Sequence, residues 1–337
     1  GPRRRGAAAC VRGRRRTGVI TSGRTDPGGP LAADSRAATG RPALAERILA
    51  ADVAWAEAAG APSDELVEEV RSTVAALVAA LEAGEVRAAT PDAAVEGGWR
   101  IDPWVKTGIL MGFRLPGMTD LRDGPIMAAR DKAAYGLLDL LESDAANAAS
   151  AAGAPWRVVP GGSAVRSGVH LEPGVTIMPP SYANIGAWVG RGTMIDSHVL
   201  VGSCAQVGEG VHLSAAVQVG GVLEPAGARP VIVEDGAFIG GQAGLYEGVT
   251  VSRGAVIGAG SSLTGQSRLI DLVNERELRG TPEAPLVVPA DAVVVPGTRP
   301  LGSGWAREQG LSVSVPVIVK YRDAGTNARV ALEDALR

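Results

Sequence analysis

The sequence predicts a mainly β fold: a left-handed parallel β-helix, or hexapeptide solenoid, preceded by a small α-helical domain. Three observations predict it. A period of six runs unbroken over residues 159–224, 46 glycines suit repeated tight corners, and helical spacing of apolar residues is confined to the region before the repeats. A period of six fits neither a helix face nor simple strand alternation, whereas it fits a triangular solenoid with three hexapeptides per turn.

Eleven consecutive hexapeptides fit between Val159 and Glu224. Ten of their first positions are branched aliphatic residues and the other is alanine, while all the fifth positions are small or aliphatic. The first positions are Val159, Val165, Leu171, Ile177, Ala183, Val189, Ile195, Val201, Val207, Leu213 and Val219. We expect each hexapeptide to form one short strand and one corner, with these side chains stacked inside.

The register slips after Glu224, where residues 225–232 intervene before the pattern resumes at Val233. We expect the insertion to be a loop at a corner. Because rigid turns fix both ends of such a loop, it commonly builds a ligand site. Further along, the sequence predicts a second excursion over residues 267–286, two more hexapeptides over 288–299, and an ordinary strand over 312–321.

Before the repeats, leucine, valine and alanine recur at helical spacing over residues 43–60 and 63–81. Residues 101–113 form a third apolar stretch, and residues 128–152 predict one or two alanine-rich helices. Ser63 and Asp64 favour a helix start. We expect these helices to cap the open first turn of the solenoid. The predicted division is a disordered arginine-rich tail (1–41), an α-helical domain (42–155), the β-helix (156–300), and a C-terminal strand with a short helix (301–337).

Charge is distributed unevenly along the chain. The first 41 residues carry ten arginines against Asp26 and Asp34, which leaves 23 basic and 34 acidic residues elsewhere. The acidic remainder is a poor surface for nucleic acid. For the tail itself, nucleic-acid binding, a transit peptide and a start site misread upstream of the true one remain open.

Cysteine content and hydropathy bear on the compartment. The two cysteines, Cys10 and Cys204, fit a reducing environment rather than a disulfide scaffold. Since no apolar run is long enough to cross a bilayer, we expect a cytoplasmic protein with no membrane or nucleic-acid partner.

The histidines do not predict a metal site. His170, His198 and His212 occupy three different positions within the eighteen-residue turn, so they point from separate places on the triangle. We therefore expect no metal. His198, two residues from Asp196, is a candidate general base if the chain acetylates a sugar or amine.

A series of motifs is more specific than bare hexapeptides. The motifs are Arg157-Val-Val-Pro, Met178-Pro-Pro-Ser-Tyr-Ala-Asn-Ile-Gly-Ala, Gly192-Thr-Met-Ile-Asp196, Val201-Gly-Ser-Cys-Ala-Gln-Val-Gly, Val211-His-Leu-Ser and Gly220-Gly-Val-Leu-Glu-Pro. Together they resemble the tetrahydrodipicolinate N-succinyltransferase family. The similarity covers residues 43 to the C-terminus, is strongest over 157–240 and is weak in the helical segment.

The resemblance implies transfer of a succinyl group from succinyl-coenzyme A to the amine of ring-opened, hydrated tetrahydrodipicolinate, in lysine and diaminopimelate biosynthesis. It also implies a homotrimer with active sites in the clefts between neighbouring solenoids. Two alternatives stay open: an acetyl-coenzyme A-dependent N-acyltransferase of the same fold, and a non-catalytic trimeric scaffold.

Residue roles follow from the resemblance at two positions. Arg157 matches the family's substrate-binding arginine, and Asp196 matches an acidic residue that holds the amine and is placed to accept its proton. The planar fork of an arginine suits a dicarboxylate. A salt bridge at the domain junction for Arg157 and capping of a turn amide by Asp196 remain open.

One departure concerns a second catalytic acid. Family members read Gly-Ala-Arg-Ser-Glu where this chain has Gly-Gly-Gln-Ala-Gly after Phe238-Ile239, which puts Gly244 in place of the glutamate. Asp196 then acts alone, Glu247 takes the role, or the substrate differs. Without the insertion, Asp196 and Glu247 lie 43 residues apart, seven more than two turns of eighteen. We expect them on different faces, so that only a neighbouring subunit brings them together.

The coenzyme's pantetheine arm carries amides that pair with backbone at tight turns, where glycine allows close approach. Its phosphates need cationic side chains. The candidates are Gly220, Gly221, Gly258 and Gly260 for the arm and Arg229 for the phosphates, with Arg253 and Arg268 left open.

Overall fold

The computed structural model describes residues 35–123 and 127–323. The described residues from 36 onward form one compact unit. Most of the predicted tail, residues 1–34, lies outside the described part, but residues 35–41 are helical and belong to α1 (Ser35–Glu57). None of the helices in the described ranges has the length and apolar character that a membrane span needs.

The repeats fold into a left-handed parallel β-helix, called the prism below, with three faces, as the period of six predicts. Face 1 contains β6 (Ala164–Val165), β9 (Tyr182–Ala183), β12 (Leu200–Val201), β15 (Gln218–Val219), β18 (Gly244–Leu245) and β21 (Ser262–Leu263). Face 2 contains β7 (His170–Leu171), β10 (Trp188–Val189), β13 (Gln206–Val207), β16 (Ile232–Val233), β19 (Thr250–Val251) and β24 (Val287–Val288). Face 3 contains β5 (Arg157–Val158), β8 (Thr176–Ile177), β11 (Met194–Ile195), β14 (His212–Leu213), β17 (Phe238–Ile239) and β20 (Val256–Ile257).

Corners 1, 2 and 3 are the turns at which the chain leaves faces 1, 2 and 3. Each strand pairs in parallel with the strand one turn away, as Met194 does with Thr176 and His212. The second residue of a strand points inward: Val165 and Leu171 are 2% exposed. The stacked interior is the aliphatic core that the first and fifth hexapeptide positions predict.

Both predicted excursions leave from corner 1. Residues 220–231 connect β15 to β16, and residues 264–286 connect β21 to β24. The second excursion carries an antiparallel hairpin of β22 (Arg268–Asp271) and β23 (Arg276–Arg279). The two loops leave the same corner two turns apart, with the short turn after β18 between them, and create a recess.

The prediction of two further hexapeptides over residues 288–299 is half wrong. The first, 288–293, begins in β24, and the second begins in register, because Val293 and Val294 pair in parallel with β20. The chain then continues as the nine-residue strand β25 (Ala292–Pro300) instead of turning a corner. It leaves the prism because β26 (Ser312–Tyr321) offers an antiparallel partner along its whole length. The strand predicted over 312–321 is confirmed, and α5 (Gly304–Glu308) lies between the two.

The N-terminal segment contains α1 (Ser35–Glu57), α2 (Asp64–Glu82) and α3 (Pro103–Arg114), with the short pair β1 (Ala89–Pro91) and β2 (Trp99–Ile101) and a 3₁₀ turn at Glu96–Gly98. The Ser63 hydroxyl caps α2 by accepting from the Leu66 amide at 3.2 Å. The helices share an apolar core that includes Ile48, Leu77 and Ile109.

The helix prediction for residues 128–152 is wrong in its first part. Residues 127–132 are β4 (Met127–Lys132), an antiparallel partner of β3 (Met118–Asp123), and only α4 (Asp144–Ala151) is helical. Alanine favours helices, but six paired residues and an exposed Arg130–Asp120 ion pair favour the hairpin. Local propensity gives way to strand pairing here.

The helices do not cap the first turn as expected. Leu138, whose amide donates to the Val165 carbonyl at 2.9 Å, closes the open end together with half-buried Trp156. α2 and α3 instead lie along corner 1, where Ile109 and Leu77 share a core with Ile185 and Cys204 of the prism.

Outward side chains of face 2 form a second contact with the N-terminal segment. The Arg87 guanidinium lies 3.8 Å from the centre of the Trp188 ring, and its Nε donates to Gln206 Oε1 at 3.0 Å. One turn further on, Trp99 packs on Ile232. Residues on three successive turns of face 2 therefore hold the N-terminal segment against the prism.

His170 belongs to the same column and makes this contact sensitive to pH. Its Nδ1 donates to the Glu82 carbonyl at 2.8 Å, and its ring packs on Trp188. Burial lowers the pKa of His170 to about 4. The hydrogen bond to the Glu82 carbonyl raises the pKa and the Arg87 charge lowers it, but burial has the largest effect.

We predict that His170 makes the protein less stable as the pH falls from 6.5 towards 4. The unfolded chain takes up a proton over this range and the folded chain does not, so the loss is complete only below the folded pKa. His170→Gln should remove on the order of 2 kcal/mol of the pH dependence of unfolding, measured with urea at several pH values. An unchanged slope in His170→Gln would contradict the assignment.

Candidate active site

A cavity of about 580 Å³ lies at corner 1, between the two excursions. One wall is the loop after β15 and the other is the excursion after β21. The lining residues are Gly220, Gly221, Val222, Leu223, Glu224, Ala228, Arg229, Tyr246, Glu247, Gly265, Gln266, Thr281, Pro282 and Pro285. Four of the predicted site residues, Gly220, Gly221, Arg229 and Glu247, are thus brought together.

The glycine pair at the start of the loop needs small residues around it. A Cβ on Gly202, one turn below, would lie 2.1 Å from the Gly221 nitrogen, and a Cβ on Gly221 would lie 2.7 Å from the Ser203 nitrogen. The Gly220 amide donates to the Leu245 carbonyl at 2.8 Å. Backbone therefore packs on backbone at this wall, and the exposed Gly221 offers main chain to a ligand.

Arg229 supplies the cation of the cavity. Its Nη2 donates to the Gly97 carbonyl at 2.9 Å, and its buried Nε has no hydrogen-bond partner among the described residues. Burial lowers the pKa of Arg229 and the nearby Glu234 carboxylate opposes this effect, so the guanidinium stays charged at neutral pH. A charged guanidinium on a residue that lines the cavity suits an anionic ligand.

Tyr246 is a cavity residue that the sequence reasoning did not single out. The ring of Tyr246 covers two glycines. A Cβ added to Gly220 would lie 2.8 Å from Cδ1 of the ring, and a Cβ added to Gly244 would lie 2.4 Å from its Cε2. Gly244 is the position at which the resemblance leads one to expect an acid. No side chain fits there unless the ring of Tyr246 moves, so the phenol stands where that acid would begin.

The remaining predicted residues lie away from the cavity. Asp196 follows β11 at corner 3, half-buried, with Oδ1 accepting from the Ser197 amide at 2.8 Å. Gly258 and Gly260 occupy the same corner further along the prism. Arg157 is exposed on face 3 in the first turn. Within one chain, Asp196 and Glu247 lie at different corners.

The three histidines are dispersed. His170 is held on face 2 against α2, whereas exposed His198 lies at corner 3 with a φ of 63°. His212, on face 3, stacks on Phe238 with 5.1 Å between ring centres. Over residues 35–123 and 127–323, no three histidine, cysteine, aspartate or glutamate side chains are grouped so that they could hold a metal ion.

Two family models match the chain. Residues 48–115 match the one described as tetrahydrodipicolinate N-succinyltransferase N-terminal, and residues 230–265 match the hexapeptide repeat of succinyl-transferase. These matches fall on the N-terminal helices and on the turns that follow the insertion.

Curated relatives extend the similarity to most of the chain. The 2,3,4,5-tetrahydropyridine-2,6-dicarboxylate N-succinyltransferase of Idiomarina loihiensis is 39% identical over 270 residues, which is 80% of this chain and 90% of that protein. The enzyme of the same name from Paramagnetospirillum magneticum is 38% identical over 286 residues, or 85% and 96% of the two chains.

A solved structure is also similar in part. A hexapeptide-repeat acetyltransferase from Vibrio cholerae is 21% identical, covers 36% of this chain and 65% of its own, and superposes with a TM-score of 0.26. At this level the similarity does not bear on activity.

Proposed function

The chain belongs to the tetrahydrodipicolinate N-succinyltransferase family, and from this premise we propose that it transfers a succinyl group from succinyl-coenzyme A to the amine of ring-opened, hydrated tetrahydrodipicolinate. The products are N-succinyl-2-amino-6-oxopimelate and free coenzyme A. The observation that carries the proposal is the identity of 39% over 270 residues, which is 80% of this chain.

The reaction sets three requirements. The amine nitrogen attacks the thioester carbonyl, the C–S bond breaks, the amine loses a proton and the departing thiolate gains one. A base must face the amine, a cation or amide must receive each carboxylate, and donors must stabilise the oxyanion. No metal or redox cofactor is needed for this balance.

We assign the donor to the cavity at corner 1. The exposed backbone of Gly221 supports this assignment because pantetheine amides pair with main chain. The charged Arg229 supports it because coenzyme phosphates and the succinyl carboxylate are anions. Gly258 and Gly260 form the opposite wall of the groove when they come from a second copy.

We assign the acceptor to corner 3 and face 3. Asp196 is half-buried next to β11, with one carboxylate oxygen already bound to a backbone amide. Its other oxygen has no hydrogen-bond partner among the described residues and can receive the amine proton. Arg157 is exposed on the same face and suits one carboxylate of the acceptor. Asp196 carries the proton in this scheme, and Glu247 lies in the donor cavity.

The assignment requires more than one copy, and we infer a homotrimer. Residues at corners 1 and 3 of one prism cannot meet, but corner 1 of one copy can face corner 3 of the next. Outward residues of face 3 support such a contact, because half-buried Met194 and the stacked His212–Phe238 pair give it an apolar surface.

We place the reaction in the cytoplasm, where acyl-coenzyme A donors are available. The buried Cys204 thiol, which forms no disulfide among the described residues, fits a reducing compartment. The acidic balance after residue 41 argues against a nucleic-acid partner.

We predict that thiol is released from succinyl-coenzyme A only when tetrahydrodipicolinate is present. The assay compares succinyl- and acetyl-coenzyme A, each with and without the acceptor, and the arms without acceptor correct for the protein's own thiols. Turnover with acetyl-coenzyme A alone would support the other N-acyltransferase, which the glycine at 244 favours. Absence of turnover with both donors would support a scaffold.

We predict that Asp196→Asn lowers kcat about a hundredfold or more, because the amide cannot accept the proton. The shape of the assembly should persist, as measured by sedimentation. Asp235 is a matched control, since it also lies at a corner and accepts a backbone amide, from Glu209 at 2.8 Å. Near-normal turnover in Asp196→Asn, or an equal loss in Asp235→Asn, would remove Asp196 from its assigned role.

A further inference from the structure

Lys106 is a fully buried lysine that the proposed reaction does not use. It lies on α3, is 0% exposed, and its Nζ donates to the Ala228 carbonyl at 2.5 Å. Ala228 belongs to the loop that lines the cavity. Removing an ammonium group from water costs several kcal/mol unless hydrogen bonds or an opposite charge compensate.

Among the residues that the structure describes, no opposite charge faces this ammonium at neutral pH. The ionisable neighbour that acts on it is Cys204, whose pKa burial raises to about 12, so the thiol is neutral. Burial accordingly lowers the pKa of Lys106. The loop carbonyl is therefore the polar partner that offsets the loss of water, and the contact ties α3 firmly to the loop.

The next residue of the loop has an anchor of its own. Arg229 donates to the Gly97 carbonyl, and a Cβ on Gly248 would lie 2.6 Å from the Arg229 carbonyl oxygen. Two successive loop residues are thus fixed to the N-terminal segment and to the neighbouring turn. A shift of the Ala228 carbonyl would move Arg229 within the cavity wall.

Lys106 is not needed to hold α3 in place. Val105, Ile109 and Met111 of the same helix are buried in the N-terminal core. An apolar residue of similar length at 106 would pack there without a desolvation penalty. The ammonium of Lys106 is therefore explained better by its hydrogen bond to the Ala228 carbonyl than by the stability of α3.

We propose that Lys106 is a positioning residue for the acyl-donor cavity: by holding the Ala228 carbonyl it sets the place of Arg229, without touching the substrate. The predicted effect on the KM for succinyl-coenzyme A rests on the proposed function, whereas the predicted effect on the position of the loop does not. It predicts that the N-terminal segment controls donor affinity through the loop.

Lys106→Met tests the inference in the full chain. We expect the KM for succinyl-coenzyme A to rise about tenfold while kcat changes little, because loss of a charge-assisted hydrogen bond loosens the loop. Amide hydrogen exchange over residues 220–231 should become faster. Lys132→Met is the matched control, since Lys132 also donates to a backbone carbonyl, that of Leu115 at 3.1 Å, away from the cavity.

The two readouts separate the inference from the proposed function. If the wild type does not use succinyl-coenzyme A, the function fails, and exchange over 220–231 together with calorimetry of coenzyme A binding still tests Lys106. If the wild type is active and Lys106→Met changes neither KM nor exchange, the inference is overturned. Should Lys106→Met not fold, Lys106→Gln, which keeps a donor on a shorter chain, replaces it and should show a smaller change in the same direction.

Discussion

The hydrogen-bonded ladder between successive turns is the interaction on which the rest of this structure depends. Each strand of the prism has only two residues, too few to persist alone, and gains its partners one turn before and after it. Turns stay in register because an aliphatic side chain from every strand stacks on the same interior column. The position of an outward residue in the repeat therefore fixes where it lies along the axis of the β-helix and which way its side chain points.

That constraint decides where variation is possible. An insertion inside a strand would disrupt its pairing with the strands one turn before and one turn after it, whereas one at a corner lengthens a turn that is already outside the core. The chain places both excursions at corner 1, and the cavity lies between them. The N-terminal segment uses the same scaffold, because the outward column His170, Trp188 and Gln206 gives it contacts on consecutive rungs.

The sequence predicts the periodic part of the molecule well, for a physical reason. A six-residue pattern reports directly on which side chains face the core, so the faces, the corner loop and the separation of Asp196 from Glu247 all follow from counting. The β3–β4 hairpin and the departure of β25 do not, because they depend on pairing between segments with no common period. For the same reason, the sequence does not predict two features of the candidate site. These are the packing of Tyr246 over Gly244 and the contact from Lys106 to Ala228 between the helices and the prism.

The central claim is that the donor cavity of one copy and the acceptor residues of another form one site. A crystal structure with coenzyme A bound tests it most directly. The account predicts the pantetheine arm beside Gly220 and Gly221, Arg229 within reach of an anionic group, and Asp196 of a second copy at the thiol. Coenzyme A bound elsewhere on the prism, or bound to a single chain with Asp196 far from the thiol, would contradict it.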